Sequence, residues 1–92
     1  MFRSDLLAGK RILVTGGGTG LGKSMGRRFL ELGADLVICG RRTEVLEATA
    51  AELASIGAVT THGVDVRDAA AVEAMIEAIW AQAPLDGLVN NA

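Results

Sequence analysis

The chain has 92 residues, 50% of them apolar, with nine Lys/Arg against eleven Asp/Glu, a net charge of −2 and a single cysteine. That length holds at most one small domain, and the apolar share is generous for it, so the chain reads as part of a larger domain. The charge balance leaves no electrostatic footprint for nucleic acid. Cys39 has no second cysteine to pair with and fits a reducing compartment. Ser4 and Asp5 interrupt any signal-peptide run, and no apolar stretch approaches membrane-spanning length, so the expectation is a soluble cytoplasmic protein with no membrane partner.

After a lead-in ending at Gly9, the apolar run Ile12-Leu13-Val14 places a first strand at Lys10 to Thr15. A glycine loop follows. It opens a helix from Gly20 to Leu32, with Leu21, Met25, Phe29 and Leu32 as its expected apolar face and Gly33 as its stop. Gly26 inside that helix costs about 1 kcal/mol relative to Ala, and close packing of helix on sheet is the expected reason. Asp35 to Cys39 is a second buried strand, ended by Gly40-Arg41-Arg42. Thr43 is the expected cap of the next helix, whose face is Leu46, Ala50 and Leu53 and whose end is Gly57. Val59 to Val66 is a weaker strand. Asp68 caps a third helix with Val72, Ile76 and Ile79 on one face, Pro84 follows it, and Leu85 to Asn90 is the fourth strand.

Strands alternating with helices predict a doubly wound α/β fold of Rossmann type with a parallel sheet. Right-handed crossovers set the strand order at 3-2-1-4. The loops after all four strands then meet at one edge: the glycine loop, Gly40-Arg41-Arg42, Asp65-Val66 and Asn90-Asn91-Ala92.

A glycine loop between a buried strand and a helix lets backbone approach a ligand where a Cβ would collide, and the helix start presents unpaired N–H groups and partial positive charge. Phosphate is the natural guest. The G-x-G-x-x-G fingerprint does not fit, because it needs glycine at Leu21. Two other patterns do. Gly17 to Ser24 reads G-x-x-x-x-G-K-S, the P-loop of nucleoside triphosphatases, in which Lys23 would hold the β/γ-phosphates. Thr15 to Gly22 reads T-G-x-x-x-G-x-G.

A P-loop enzyme also needs an apolar strand ending in a Mg²⁺-binding Asp. Only the third strand ends in aspartate, Asp65, and Thr60-Thr61-His62-Gly63 is a poor apolar run. In a dinucleotide fold the end of the second strand meets the adenosine ribose, where a carboxylate binds the 2′-hydroxyl of NAD and an arginine accommodates the 2′-phosphate of NADP. Here that end carries Arg41 and Arg42 and no carboxylate.

Thr15-Gly16…Gly20-Leu21-Gly22, Asp65-Val66 and Asn90-Asn91-Ala92 together resemble the N-terminal part of a short-chain dehydrogenase/reductase. A closer resemblance, to 2,4-dienoyl-CoA reductases, rests on residues 15–23, Arg41, Val45-Leu46…Ala48-Thr49-Ala50 and Asp65-Val66-Arg67-Asp68. The resemblance implies NADP(H) as cofactor, held by Gly16, Gly18, Thr19, Gly20, Leu21, Gly22, Arg41, Arg42, Asp65, Val66, Asn91 and Ala92, with Asp65 accepting from the adenine amine. It implies hydride transfer to or from a carbonyl or an enoyl/dienoyl thioester, acyl-CoA among the substrates, in a homo-oligomer (dimer or tetramer) when full-length. The family's Tyr-x-x-x-Lys motif is missing: the chain has no Tyr, and Lys10 and Lys23 lie in the cofactor half. Residues 1–92 are therefore expected to be the cofactor-binding part of a single domain, with no catalytic residue and no metal ligand. His62 is expected to be a strand residue without a catalytic role, Cys39 a core residue, Met75 and Trp80 packing residues, and Asp65 has a turn cap as its alternative role.

Overall fold

Strands and helices alternate strictly along residues 5–91, the part that the computed structural model describes. The order is β1 (Arg11–Thr15), α1 (Gly20–Glu31), β2 (Asp35–Gly40), α2 (Thr43–Leu53), β3 (Val59–Gly63), α3 (Ala69–Gln82) and β4 (Gly87–Asn90). The four strands are all parallel and run β3-β2-β1-β4 across the sheet, the order expected from the chirality of the crossovers. In register, Leu13 of β1 stands between Val37 of β2 and Leu88 of β4.

Every residue of β1 is buried, as are the four residues Leu36–Cys39 of β2. Such runs do not alternate because both faces of the sheet are covered. Successive side chains point to opposite faces. Ile12, Val14, Leu36 and Ile38 meet Leu30 of α1 and Leu46 and Leu53 of α2 on one face, while Leu13, Val37, Cys39 and Val64 meet Met75 and Ile79 of α3 on the other.

α1 does not use the face expected of it. Gly22, Gly26 and Leu30 are its buried residues, whereas Met25, Phe29 and Leu32 are half-buried and Leu21 is 66% exposed. A Cβ at Gly26 would come within 2.8 Å of Leu36 Cδ2, so glycine is what lets the helix lie this close to β2. Gly33 ends α1 in the left-handed region at φ +98°, with Leu32 as the C-cap rather than the last helical residue.

Thr43 is the first residue of α2, not its cap. Arg42 occupies the cap position and makes no side-chain cap bond. The buried stripe of α2 is Leu46, Thr49 and Leu53, and the helix stops one turn before Gly57. Asp68 does cap α3, accepting from Ala71 N at 3.1 Å. Met75 and Ile79 are buried, Val72 and Ile76 half-buried, and Trp80 is 51% exposed rather than packed.

β3 stops at Gly63 and β4 begins at Gly87, both shorter than the sequence pattern implied. Before β4, Asp86 is held by β1 instead: Arg11 N donates to Asp86 Oδ2 at 2.8 Å, and Asp86 N to Arg11 O at 2.7 Å. The Arg11 side chain is buried on the α3 face. Its Nη1 donates to Ile79 O and Ala83 O, each at 2.7 Å, and its Nη2 to Gln82 Oε1 at 2.9 Å. A strand cation thus closes the C-terminal end of α3, where unpaired carbonyls carry the negative end of the helix dipole.

Candidate functional site

At the carboxyl edge of the sheet the segments after β1, β2 and β3 surround a cleft of about 540 Å³. The glycine loop contributes Thr15, Gly16, Gly18 and Thr19. The end of β2 contributes Cys39, Gly40, Arg41 and Arg42; α2 adds Val45 and Leu46, and the chain after β3 adds Val64 and Val66. Six of the residues singled out from sequence, Gly16, Gly18, Thr19, Arg41, Arg42 and Val66, therefore come together in one cavity. None of the lining residues is acidic. Gly20, Leu21, Gly22, Asp65 and Asn91 stand outside the lining, and Ala92 lies outside the described residues.

The loop is built by backbone contacts. Gly16 sits at φ +65°, donates its N–H to Cys39 O at 2.9 Å, and has Asn91 O only 2.6 Å from where a Cβ would stand. Gly20 sits at φ +58° with no atom within 4 Å of its Cβ position. Gly22 is the opposite case: a Cβ there would run into Gly16 O and lie 2.7 Å from Asn91 Nδ2. So Gly20 faces open space, while Gly22 is filled from within the protein. The N-cap of α1, Thr19, makes no side-chain cap bond, and the first turn of α1 holds no acidic residue. The N–H groups at that helix start remain as donors for an anion.

β4 is tied to the loop through Thr15. Its hydroxyl accepts from Asn91 N at 2.8 Å and donates to Asn90 Oδ1 at 3.0 Å, and Asn91 Nδ2 stands 3.5 Å from Gly16 O. α2 is tied to the loop through Thr49, whose hydroxyl donates to Gly18 O at 2.6 Å. The sequence reading names Thr49 only within the closer resemblance and gives it no partner. The signal for it is a hydroxyl at a position framed by Leu46 and Leu53, since a buried polar group takes a partner.

Arg41 and Arg42 are exposed at the cleft mouth, and Arg42 makes a 3.5 Å surface pair with Glu44. Asp65 is engaged by Arg67. Its Oδ1 accepts from Arg67 N at 2.9 Å and Nε at 3.1 Å, and its Oδ2 from Nη2 at 3.0 Å. The Arg67 side chain and N–H, with a smaller contribution from Arg41, pull the Asp65 carboxyl down to about 2. Asp65 thus braces the turn after β3, and Val66 is the residue of that pair which reaches the cleft. Burial pushes the Cys39 thiol up, in keeping with a core residue at the cleft floor. His62 Nε2 is buried without a hydrogen-bond partner among the described residues, and burial, with the nearby Arg11 charge, lowers the imidazole pKa.

Lys23, the residue a P-loop needs at the phosphates, forms an ion pair with Glu52 of α2 and holds that carboxyl below its usual range. It does not line the cleft. The P-loop reading of Gly17–Ser24 is not supported.

The sequence pattern of the short chain dehydrogenase family matches residues 10–92, nearly the whole chain. The chain belongs to that family. A probable 2,4-dienoyl-CoA reductase [(2E)-enoyl-CoA-producing] of Bacillus subtilis is 41% identical over 85 residues, covering 90% of this chain and 34% of that protein. The citronellol catabolism dehydrogenase AtuB of Pseudomonas aeruginosa superposes with a TM-score of 0.94 at 39% identity, over 98% of this chain and 38% of the other. The Pseudomonas aeruginosa RhlG/NADP active-site complex superposes with a TM-score of 0.90 at 36% identity, over all of this chain and 38% of the other. The chain spans between a third and two fifths of the length of these three proteins. No helix among the described residues is long and apolar enough to cross a membrane.

Proposed function

We propose that this chain is the NADP(H)-binding, N-terminal part of a short-chain dehydrogenase that transfers hydride between the nicotinamide and a carbonyl or an enoyl/dienoyl thioester. The observation that carries the reading is one cleft with the glycine loop up to Thr19, the N-cap of α1, at one side, Arg41 and Arg42 at the other, and no carboxylate between them. Its donors suit a dinucleotide with an extra phosphate. Backbone N–H groups at the start of α1, beside the open Gly20, would hold the pyrophosphate. Arg41 would hold the 2′-phosphate, with Arg42 as the weaker partner because Glu44 competes for it. Thr19 would add a hydrogen bond, Val66 would lie against the adenine with Asp65 as the acceptor of its amine, and Asn91 would flank the loop. Gly40 leaves room at the position where a carboxylate would repel the phosphate. A charge-assisted contact of this kind contributes about 1.5–3 kcal/mol.

The bound cofactor supplies the hydride chemistry, and the residues of this chain bind and orient it. The proton-donating Tyr and Lys belong, in this reading, to another part of the same domain; none of the 92 residues is a tyrosine. The printed name of the Bacillus relative supports an acyl-CoA thioester as the substrate class. A homo-oligomer in the cytoplasm completes the proposal.

The test is NADPH oxidation by the full-length protein with dienoyl-CoA, enoyl-CoA and simple carbonyl compounds, alongside titration with Mg-ATP. NADPH binding with turnover of one of these classes is expected. Binding of Mg-ATP and not of a nicotinamide dinucleotide would overturn the reading.

A further inference from the structure

Resting on that dinucleotide-binding reading, we propose that Thr49 of α2 is a positioning residue: it locks the Gly18–Thr19 peptide of the glycine loop so that the loop presents its donors to the pyrophosphate. Thr49 is 3% exposed and sits in a stripe otherwise made of leucine. A threonine hydroxyl inside a helix ordinarily turns back to the carbonyl four residues before it. This one reaches 31 positions along the chain to Gly18 O, at 2.6 Å and fully buried. The bond therefore serves the loop rather than the helix.

The loop needs it. Thr19 provides no side-chain cap for α1, so that end of the loop is not held by its own hydroxyl. Gly18 is seated on α2, where an added Cβ would lie 3.0 Å from Val45 Cγ1 and 3.5 Å from Leu46 Cδ2. No described peptide bond is cis. In a trans peptide the C=O and the following N–H point to opposite sides. Fixing Gly18 O on Thr49 therefore fixes the Thr19 N–H away from it, at a residue that lines the cleft.

The same helix begins just after Arg41 and Arg42. α2 thus carries both an anchor for the pyrophosphate loop and the neighbours of the 2′-phosphate group, and the Thr49 bond sets one against the other. Its loss should be felt by a ligand that engages both, and not by one that engages only the arginines.

The experiment compares the full-length parent with Thr49→Val, which keeps the shape and removes the hydroxyl, and Thr49→Ser, which keeps the hydroxyl. Dissociation constants are measured for NADPH and for adenosine 2′-monophosphate, which lacks the pyrophosphate. Thr49→Val should weaken NADPH about tenfold, the scale of one buried carbonyl left unpaired. It should leave adenosine 2′-monophosphate unchanged, and Thr49→Ser should match the parent for both. If Thr49→Val does not unfold cooperatively, Thr49→Ala against Thr49→Ser gives the same comparison. Unchanged NADPH affinity in the variant lacking the hydroxyl, equal weakening of both ligands, or failure of Thr49→Ser to rescue would overturn the proposal. A parent that binds no nicotinamide dinucleotide would instead overturn the cofactor reading beneath it.

Discussion

Gly20 and Gly22 stand two positions apart and are glycines for different reasons. Gly20 sits at positive φ and borders open space; Gly22 has no room because Gly16 O and Asn91 already fill it. Gly22→Ala should therefore destabilise the protein itself by about 1–3 kcal/mol through overpacking, and lose cofactor affinity as a consequence. Thermal denaturation without ligand checks this: an unchanged midpoint with lost affinity would assign Gly22 to the ligand instead. The spacing T-G-x-x-x-G-x-G exposed the loop but not this division of labour, because spacing does not say which atoms fill the place of an absent Cβ. Asp65 shows the same limit. Its position after β3 was legible, whereas its engagement by Arg67 depends on the turn geometry. His62 gives a pH signature. Its imidazole is less basic in the fold than its ordinary value of 6.5, so the unfolded chain binds more protons as pH falls below that value. Stability should be full above about pH 6.5 and decline as pH drops beneath it. His62→Leu should flatten that decline in denaturant midpoints measured across the range; an unchanged slope would place its cause elsewhere.

The elements and their order were legible because each strand is a short apolar run and each crossover has a fixed hand. The seating of α1 was not. An apolar stripe of Leu21, Met25, Phe29 and Leu32 reads as its inner face, yet Gly26 brings the helix against Leu36 of β2, and Gly22 brings its first turn against the glycine loop, by having nothing to project. Arg11 was hidden for a related reason. Its partners are carbonyls at the end of α3, about 70 positions away, and a strand-end arginine reads as solvated. Arg11→Met keeps much of the apolar stem and removes the donors to Ile79 O and Ala83 O. It should cost about 2–3 kcal/mol. The loss should show in the denaturant midpoint and in faster amide exchange at the C-terminal turn of α3. Full protection of that turn in the variant would mean that the apolar contacts of Met75 and Ile79 hold α3 alone.

Across the described residues, both faces of β1 and β2 are covered, but β4 is an edge strand whose Leu88 is 62% exposed and lines a groove with Val72, Met75 and Ile76 of α3. Prepared as the 92-residue chain, the protein should self-associate through this edge, and Leu88→Lys should reduce the association in light scattering. A monomeric parent chain would contradict that expectation. The fold also brings the glycine loop and the β2 terminus, 20 or more residues apart in sequence, into one cleft, and the sign of charge there bears on the central claim. The direct measurement is the pair of dissociation constants for NADPH and NADH in the full-length parent, Arg41→Leu and Gly40→Asp. The parent should prefer NADPH by at least about tenfold, Arg41→Leu should lose most of that preference with NADH binding nearly unchanged, and Gly40→Asp should reverse it. Equal weakening of both cofactors by Arg41→Leu, or a parent that favours NADH, would contradict the account.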